Sequence, residues 1–339
     1  MKKLIILLLV VLLLTAFLQA QKITKVGTTA AGFLNIDIGA RAIGMGSSYT
    51  TAVSDVSAMY WNPAGLTYIN NTEAMFCNTR WIADINFNFA GLAINLGSFG
   101  ILGLHATFLT MDQMEITTID KPDGTGEMFE AGSNAFGLSY ARKLTDRFSI
   151  GFNFKYISEY IYHCNARGMA FDIGTLYDTQ FNGLKIGMSI KNYGTKMQMS
   201  GRDLLGQTDI NPNVSGNNPN INSNLQTDSY DLPLMFRVGL SMDVLRGAGN
   251  SNLIISVDAL HPNDDVEYLN VGGEYMLNNM YALRAGYKTL FATSSQEGLS
   301  LGAGINYMFL DEYTIRIDYA YQDFGVLNDI QMFTIGLNF

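Results

Sequence analysis

From Thr72 to the C-terminus, apolar and polar residues alternate with a period of two. That period belongs to strands with one apolar and one polar face. Around residue 152, Phe148, Ile150, Phe152, Phe154 and Tyr156 alternate with Ser149, Gly151, Asn153 and Lys155. Around residue 239, Leu234, Phe236, Val238, Leu240, Met242 and Val244 alternate with Arg237, Gly239, Ser241 and Asp243. Tyr313, Ile315, Ile317, Tyr319 and Tyr321 oppose Thr314, Arg316, Asp318 and Ala320. At the C-terminus Phe333, Ile335, Leu337 and Phe339 oppose Met332, Thr334, Gly336 and Asn338. About fourteen such segments are predicted, centred near residues 75, 90, 105, 138, 152, 173, 187, 239, 256, 271, 284, 304, 317 and 334. Their length of about 9–11 residues is what a tilted strand needs to cross a bilayer.

The connections alternate short and long. Short turns are expected at 97–98, 145–147, 181–183, 247–250, 278–279 and 311–312. Longer loops are expected at 111–133, 159–167, 192–231, 261–265, 289–298 and 322–328. Outer-membrane barrels show this asymmetry, with tight periplasmic turns and long outer loops. Residues 192–231, rich in Asn, Gly and Ser, read as a mobile surface loop. Within 85–96 the alternation changes phase near 89–91, which predicts a bulge. None of the six prolines is expected inside a strand, as a continuous ladder requires.

A soluble sandwich would alternate too, but its water-facing side would be rich in Lys and Glu. Here charged residues make up only 15% of the chain, and the polar faces carry mainly Gly, Ser, Asn and Thr. Charges on those faces come in opposite signs, Arg237 with Asp243 and Arg316 with Asp318, as a narrow interior demands. Tyr281, Tyr287, Tyr307, Phe309, Tyr313, Tyr321 and Phe339 fall near strand ends, where membrane interfaces collect aromatics. The chain therefore reads as all-β: a transmembrane antiparallel β-barrel of about fourteen strands. In lipid no sheet edge can stay unpaired, so the first and last strands must meet. The inward positions place Arg237, Asp243, Asp258, Glu274, Arg284, Arg316 and Asp318 in the lumen. A net charge of −9 argues against a nucleic-acid partner.

The chain upstream divides in two. Residues 1–20 read as a secretory signal, with Lys2 and Lys3 before an apolar run and Ala20 before Gln21. Residues 21–70 then form a segment distinct from the barrel, 71–339. Its centre, 39–66, is dominated by small residues: Gly39, Ala40, Ala42, Gly44, Gly46, Ser47 and Ser48. Such a run can bring its backbone close to other surfaces. A short helix is expected within 42–58, and Trp61-Asn62-Pro63-Ala64-Gly65-Leu66 closes the stretch as a rigid turn. A barrel wider than eight strands leaves lumen to fill. This segment is the expected occupant, a hatch or plug.

Gly39-Ala40-Arg41-Ala42, Gly44-Met45-Gly46 and Trp61-Asn62-Pro63-Ala64-Gly65-Leu66 resemble the N-terminal signature of the PorV/PorQ family, a branch of the FadL-like barrels. Ala83-Asp84-Ile85-Asn86, the length and the strand number extend the likeness over nearly the whole mature chain. The resemblance implies a fourteen-stranded barrel with Asn62-Pro63-Ala64 as the turn of its hatch, set in the outer membrane of a Bacteroidetes-like bacterium. PorV-type members serve type IX protein secretion, and their partners are the translocon, the attachment complex and exported cargo. FadL-type members admit long-chain fatty acids or other hydrophobic molecules through the barrel wall. The chain is shorter than typical FadL transporters, so the expectation is a secretion component, with hydrophobic transport as the alternative. For transport, the phase change in 85–96 marks the expected lateral opening.

No catalytic constellation stands out, and no metal or cofactor is expected. His105, His163 and His261 are scattered. Residues 39–47 superficially match a phosphate loop, but Met45 stands where the lysine must be. Asp120-Lys121-Pro122-Asp123-Gly124-Thr125-Gly126-Glu127 lacks EF-hand spacing and reads as a solvated loop. Cys77 and Cys164 are compatible with a disulfide in an exported chain, though nothing places them together. Arg41, the one cation of the hatch motif, is expected to pair with Asp55, Asp172, Asp258 or Glu274, because a buried charge without a partner is costly. Trp61 is expected to be a packing anchor.

Overall fold

The computed structural model describes residues 26–216, 218, 220–245, 251–292, 295–309 and 313–339. The expected signal at 1–20 and the turns at 247–250 and 311–312 lie outside the described residues. Fourteen long strands build the wall. They are β1 (Glu73–Arg80), β2 (Asn86–Asn95), β3 (Ile101–Thr110), β4 (Ala131–Lys143), β5 (Phe148–Ile161), β6 (Cys164–Asp178) and β7 (Lys185–Gly194). After a long outer excursion come β8 (Met235–Asp243), β9 (Ser251–Pro262), β10 (Tyr268–Leu277), β11 (Tyr281–Leu290), β12 (Leu299–Phe309), β13 (Tyr313–Asp323) and β14 (Asp329–Asn338). Each pairs antiparallel with its sequence neighbours, and β14 pairs with β1 from Glu73↔Asn338 to Arg80↔Gln331, closing the barrel.

The faces are inverted relative to a soluble sheet. Leu283 is 64% exposed and Phe333 55%, whereas Asp258 is 0% and Glu274 1%. Apolar side chains cover the outside and polar ones line the lumen, the arrangement of a barrel whose outer solvent is acyl chain. Tyr281, Tyr307 and Tyr313 ring one end and Tyr287 and Tyr321 the other, all exposed. Phe309 stacks on Tyr313 with ring centroids 5.4 Å apart.

Several details differ from the sequence reading. The pairing of β2 with β1 and β3 runs in unbroken register, with no bulge at 89–91. The change of phase is one of side-chain polarity: Phe87 and Phe89 turn inward and pack in the core with Met59. The register shifts lie elsewhere, at 171–173 between β6 and β7 and at 269–271 between β10 and β11. The expected loop at 159–167 is a tight hairpin, because β5 and β6 extend to a two-residue turn at Tyr162-His163, with Tyr162 at φ 52°. Pro262 ends β9, opposite Met235, where the ladder stops. The outer loop at 192–231 contains paired structure, with Leu205–Thr208 against Ile221–Asn224. Cys77 and Cys164 are buried and unbonded, on β1 and β6, whose places in the sheet are not adjacent.

The core lies inside the barrel. Residues 31–69 are mostly buried and hold two single-turn helices, α1 (Ala40–Gly44) and α2 (Ala58–Trp61). The helix expected within 42–58 is broken, since Gly46 and Ser47 take φ of 62° and 58°. Ile38, Met45, Tyr49, Val53, Val56, Met59, Trp61 and Leu66 of this stretch form one cluster with the wall residues Met75, Phe87, Phe89, Ala135 and Ile157. These contacts make it a lumenal segment.

Candidate functional site

The lumenal segment is seated on glycines. A Cβ on Gly46 would lie 2.5 Å from the Tyr287 nitrogen and 2.6 Å from the Val271 oxygen. Across that contact, Gly272 and Gly286 of the wall have no room for a Cβ because the backbone at Met45 and Gly46 occupies it. Gly44 meets Gly302 in the same way, and the Pro63-Ala64 backbone occupies the space beside Gly151. Small residues in the segment thus match missing side chains on the wall, so backbone can meet backbone.

Wall hydroxyls and amides then satisfy the segment's polar backbone, as burial demands. Ala40 N donates to Thr334 Oγ1 at 2.9 Å and Gly46 N to Ser300 Oγ at 3.0 Å. Among the described residues Asp258 makes no salt bridge; its Oδ2 accepts from Tyr49 N and Thr50 N, both at 2.9 Å. Asn62 works as a joint. Its Oδ1 accepts from Ala64 N at 3.2 Å, capping the turn that starts at Pro63, while Nδ2 donates to Thr50 O at 3.0 Å and Thr175 O of β6 at 3.1 Å. Gly65 is held against Val53 and Ala58. The register shift at 269–271 is satisfied likewise: Asn270 Oδ1 accepts from Thr289 N at 2.9 Å, and Asn270 Nδ2 donates to Ser47 O at 3.2 Å.

Charges form a closed ring between segment and wall. Arg41 donates two hydrogen bonds to Glu274, at 2.8 and 2.7 Å. Glu274 also accepts from Arg284 at 2.6 Å, and Arg284 reaches Asp318 at 2.7 Å. Asp318 pairs with Arg316 at 3.2 Å, Arg316 with Asp55 at 3.2 Å, and Asp55 lies 3.7 Å from Arg41. Signs alternate around the ring, so each buried charge has opposite neighbours. Of the four acids expected for Arg41, two serve, Asp55 and Glu274.

The expected Arg237–Asp243 pair does not form. Arg237 points at Asp37 of the segment, 3.8 Å away, and lies over the Trp61 ring at 4.7 Å. Asp243, at the C-terminal end of β8, accepts from Leu245 N at 3.2 Å. Trp61 itself is fully buried, donates to Ile38 O at 2.8 Å and meets Tyr49 and Tyr60 edge-on. Sequence reasoning missed Asp37, whose partners Lys288 at 2.7 Å and Arg237 are 251 and 200 residues downstream. It also missed Lys191, buried on β7 with its ammonium 3.1 Å from the Tyr60 ring centroid.

Two clefts flank the segment on the side of β14 and β1 to β6. An inner one lies between segment and wall, lined by Phe33, Leu34, Ile38, Met59 and Phe87 and, at its polar end, by His105, Asn153, Lys155 and Asp172. It is nearly closed, with a volume of about 10 Å³, room for a single water. The other is a groove of about 680 Å³ on the lipid-facing surface, lined by Ala74, Phe76, Ala90, Leu92, Ala106 and Phe136 among others.

No protein-family model matches the chain, and no curated protein sequence matches it. Solved structures do. The monoaromatic hydrocarbon channel CymD superposes with a TM-score of 0.55 at 11% identity, over 88% of this chain and 96% of CymD. The toluene transporter TodX of Pseudomonas putida gives 0.55 at 10% identity, over 87% and 96%. A FadL homologue of Pseudomonas aeruginosa gives 0.53 at 13% identity, over 89% and 98%. The chain has the fold of the FadL-type outer-membrane barrels. At identities this low the superpositions show the fold alone, and the narrower PorV/PorQ assignment stays a resemblance in the N-terminal motif.

Proposed function

We propose that this FadL-type barrel is an outer-membrane channel for small hydrophobic molecules, with residues 21–70 acting as its hatch. The observation that carries this reading is the pairing of a filled lumen with an apolar cleft at the seam between segment and wall. Trp61, Tyr49 and Met59 are buried in the lumen and pack against the wall, which opposes an open aqueous path where they sit. An apolar solute would instead pass at the inner cleft once a shift of the segment widens it. Channels and transporters for monoaromatic hydrocarbons and toluene share the fold, which favours this reading over the secretion role implied by the PorV/PorQ resemblance.

The experiment is uptake of a hydrophobic solute by proteoliposomes holding the purified chain, compared with protein-free vesicles. Protein-dependent uptake supports the proposal. No uptake, together with recovery of translocon, attachment-complex or cargo proteins from detergent extracts, would return the assignment to type IX secretion.

A further inference from the structure

We infer that Lys155 and Asn192 become joined by an isopeptide bond inside the barrel, formed by the chain itself with Asp172 as proton carrier. The bond would form whatever the barrel transports. Lys155 of β5, Asp172 of β6 and Asn192 of β7 lie on three adjacent strands and are 5%, 1% and 1% exposed. Lys155 Nζ lies 2.8 Å from Asp172 Oδ1 and is hydrogen-bonded to Asn192 Oδ1, which sets the amine beside the carboxamide carbon, Cγ. Asp172 Oδ1 also accepts from Asn192 N at 2.7 Å, so one carboxylate holds both partners. The bulge between β6 and β7 creates this meeting. Phe171 pairs with Tyr193 and Ile173 with Ile190, so two residues, Lys191 and Asn192, oppose the single Asp172. Asn192 takes φ 62°, a region that Asn enters more readily than most residues. Both Lys191 and Asn192 are buried, whereas in an unbroken ladder one of the two would face lipid. Asn192 Nδ2 donates to Pro233 O at 2.9 Å, which keeps Oδ1 toward the amine. Asn153 Nδ2 donates to Asp172 Oδ2 at 2.9 Å and fixes the carboxylate.

A lysine amine is a nucleophile once it is uncharged. Proton transfer from Nζ to Asp172 leaves a neutral amine and a carboxylic acid, two uncharged groups where charge is costly. The amine attacks Asn192 Cγ, and a tetrahedral carbon forms with its negative charge on Oδ1. Asp172 gives its proton to Nδ2 and takes one from Nζ. The Cγ–Nδ2 bond breaks, and the departing ammonia takes the remaining proton from Asp172. The products are a secondary amide between Nζ and Cγ, an ammonium ion and the original carboxylate. No oxidant or cofactor enters the balance. Holding the three groups together in advance supplies much of the rate. Phe33, Leu34, Tyr60 and Phe87 line the inner cleft beside Lys155 and Asp172 and keep bulk water from the amine. The cleft's volume of about 10 Å³ has room for one molecule the size of water, as ammonia is. The bond ties β5 to β7 across β6.

The test is mass spectrometry of the purified barrel, with heat-modifiable gel mobility confirming that each chain folds. The wild-type chain should be lighter than its sequence by one ammonia, and a protease digest should yield a branched peptide linking residues 155 and 192. Cyclisation of an N-terminal Gln21 sheds the same mass, so the branched peptide decides. Lys155→Arg keeps a cation opposite Asp172 but should lose the branched peptide, as should Asn192→Ala. Asp172→Asn removes the proton carrier while keeping both partners, and should leave them unlinked. Lys155 and Asn192 recovered in separate peptides from the folded wild-type chain would overturn the bond. A branched peptide that persists in Asp172→Asn would overturn the role of Asp172.

Discussion

At the scale of single residues, the account turns on charges that share few sequence neighbours. Arg41 and Asp55 come from the lumenal segment, while Glu274, Arg284, Arg316 and Asp318 come from β10, β11 and β13. Removing Arg41 leaves three carboxylates facing two guanidiniums, and breaking a buried pair costs about 3–5 kcal/mol. Arg41→Ala should therefore lower the temperature of heat modification and admit large antibiotics to which intact cells are resistant. Unchanged resistance and unchanged melting would show that the ring does not hold the segment. Arg41 and the Asn62-Pro63-Ala64 turn stood out in the sequence because each sits in a short local motif, although the main partner of Arg41, Glu274, lies 233 residues away. Lys155 did not, since its meaning depends on Asp172 and Asn192, on two other strands. The Arg237–Asp243 expectation failed for a related reason. Residues six apart on one strand share a face but lie about 20 Å apart, and Asp37 is nearer.

At the scale of elements, the period of two located all fourteen strands, because lipid outside and polar lumen inside enforce the same alternation along each. The reading went astray at β2, where Phe87 and Phe89 serve the interior core. There the lumenal segment supplies an apolar partner on the inside, so polarity stops reporting which face is which. The wall glycines were equally hidden: an inward Gly looks like any small lumen residue until the segment is seen against it. Gly286→Val puts side-chain atoms where Gly46 now sits. It should displace the segment while leaving the barrel closed, seen as wild-type heat modifiability with higher solute permeability. Loss of the folded barrel, or permeability equal to wild type, would contradict a seat built by backbone contact.

At the scale of the whole molecule, a closed fourteen-stranded wall and a filled lumen are one design. Closure removes every edge from the lipid, and the resulting width would leak without an occupant. The inner cleft lies beside β2 to β6, whereas the ionic ring is seated on β10, β11 and β13, where Arg316 also reaches Glu73 of β1 at 3.4 Å. The N-terminal segment, packed against the wall from inside, is thus what closes the lumen. Planar-bilayer conductance of the full chain and of a chain lacking residues 26–69, each verified as a heat-modifiable barrel, tests this most directly. The full chain should be electrically silent and the shortened chain should open steady pores; equal conductance from both would contradict a lumen closed by its own N-terminal segment.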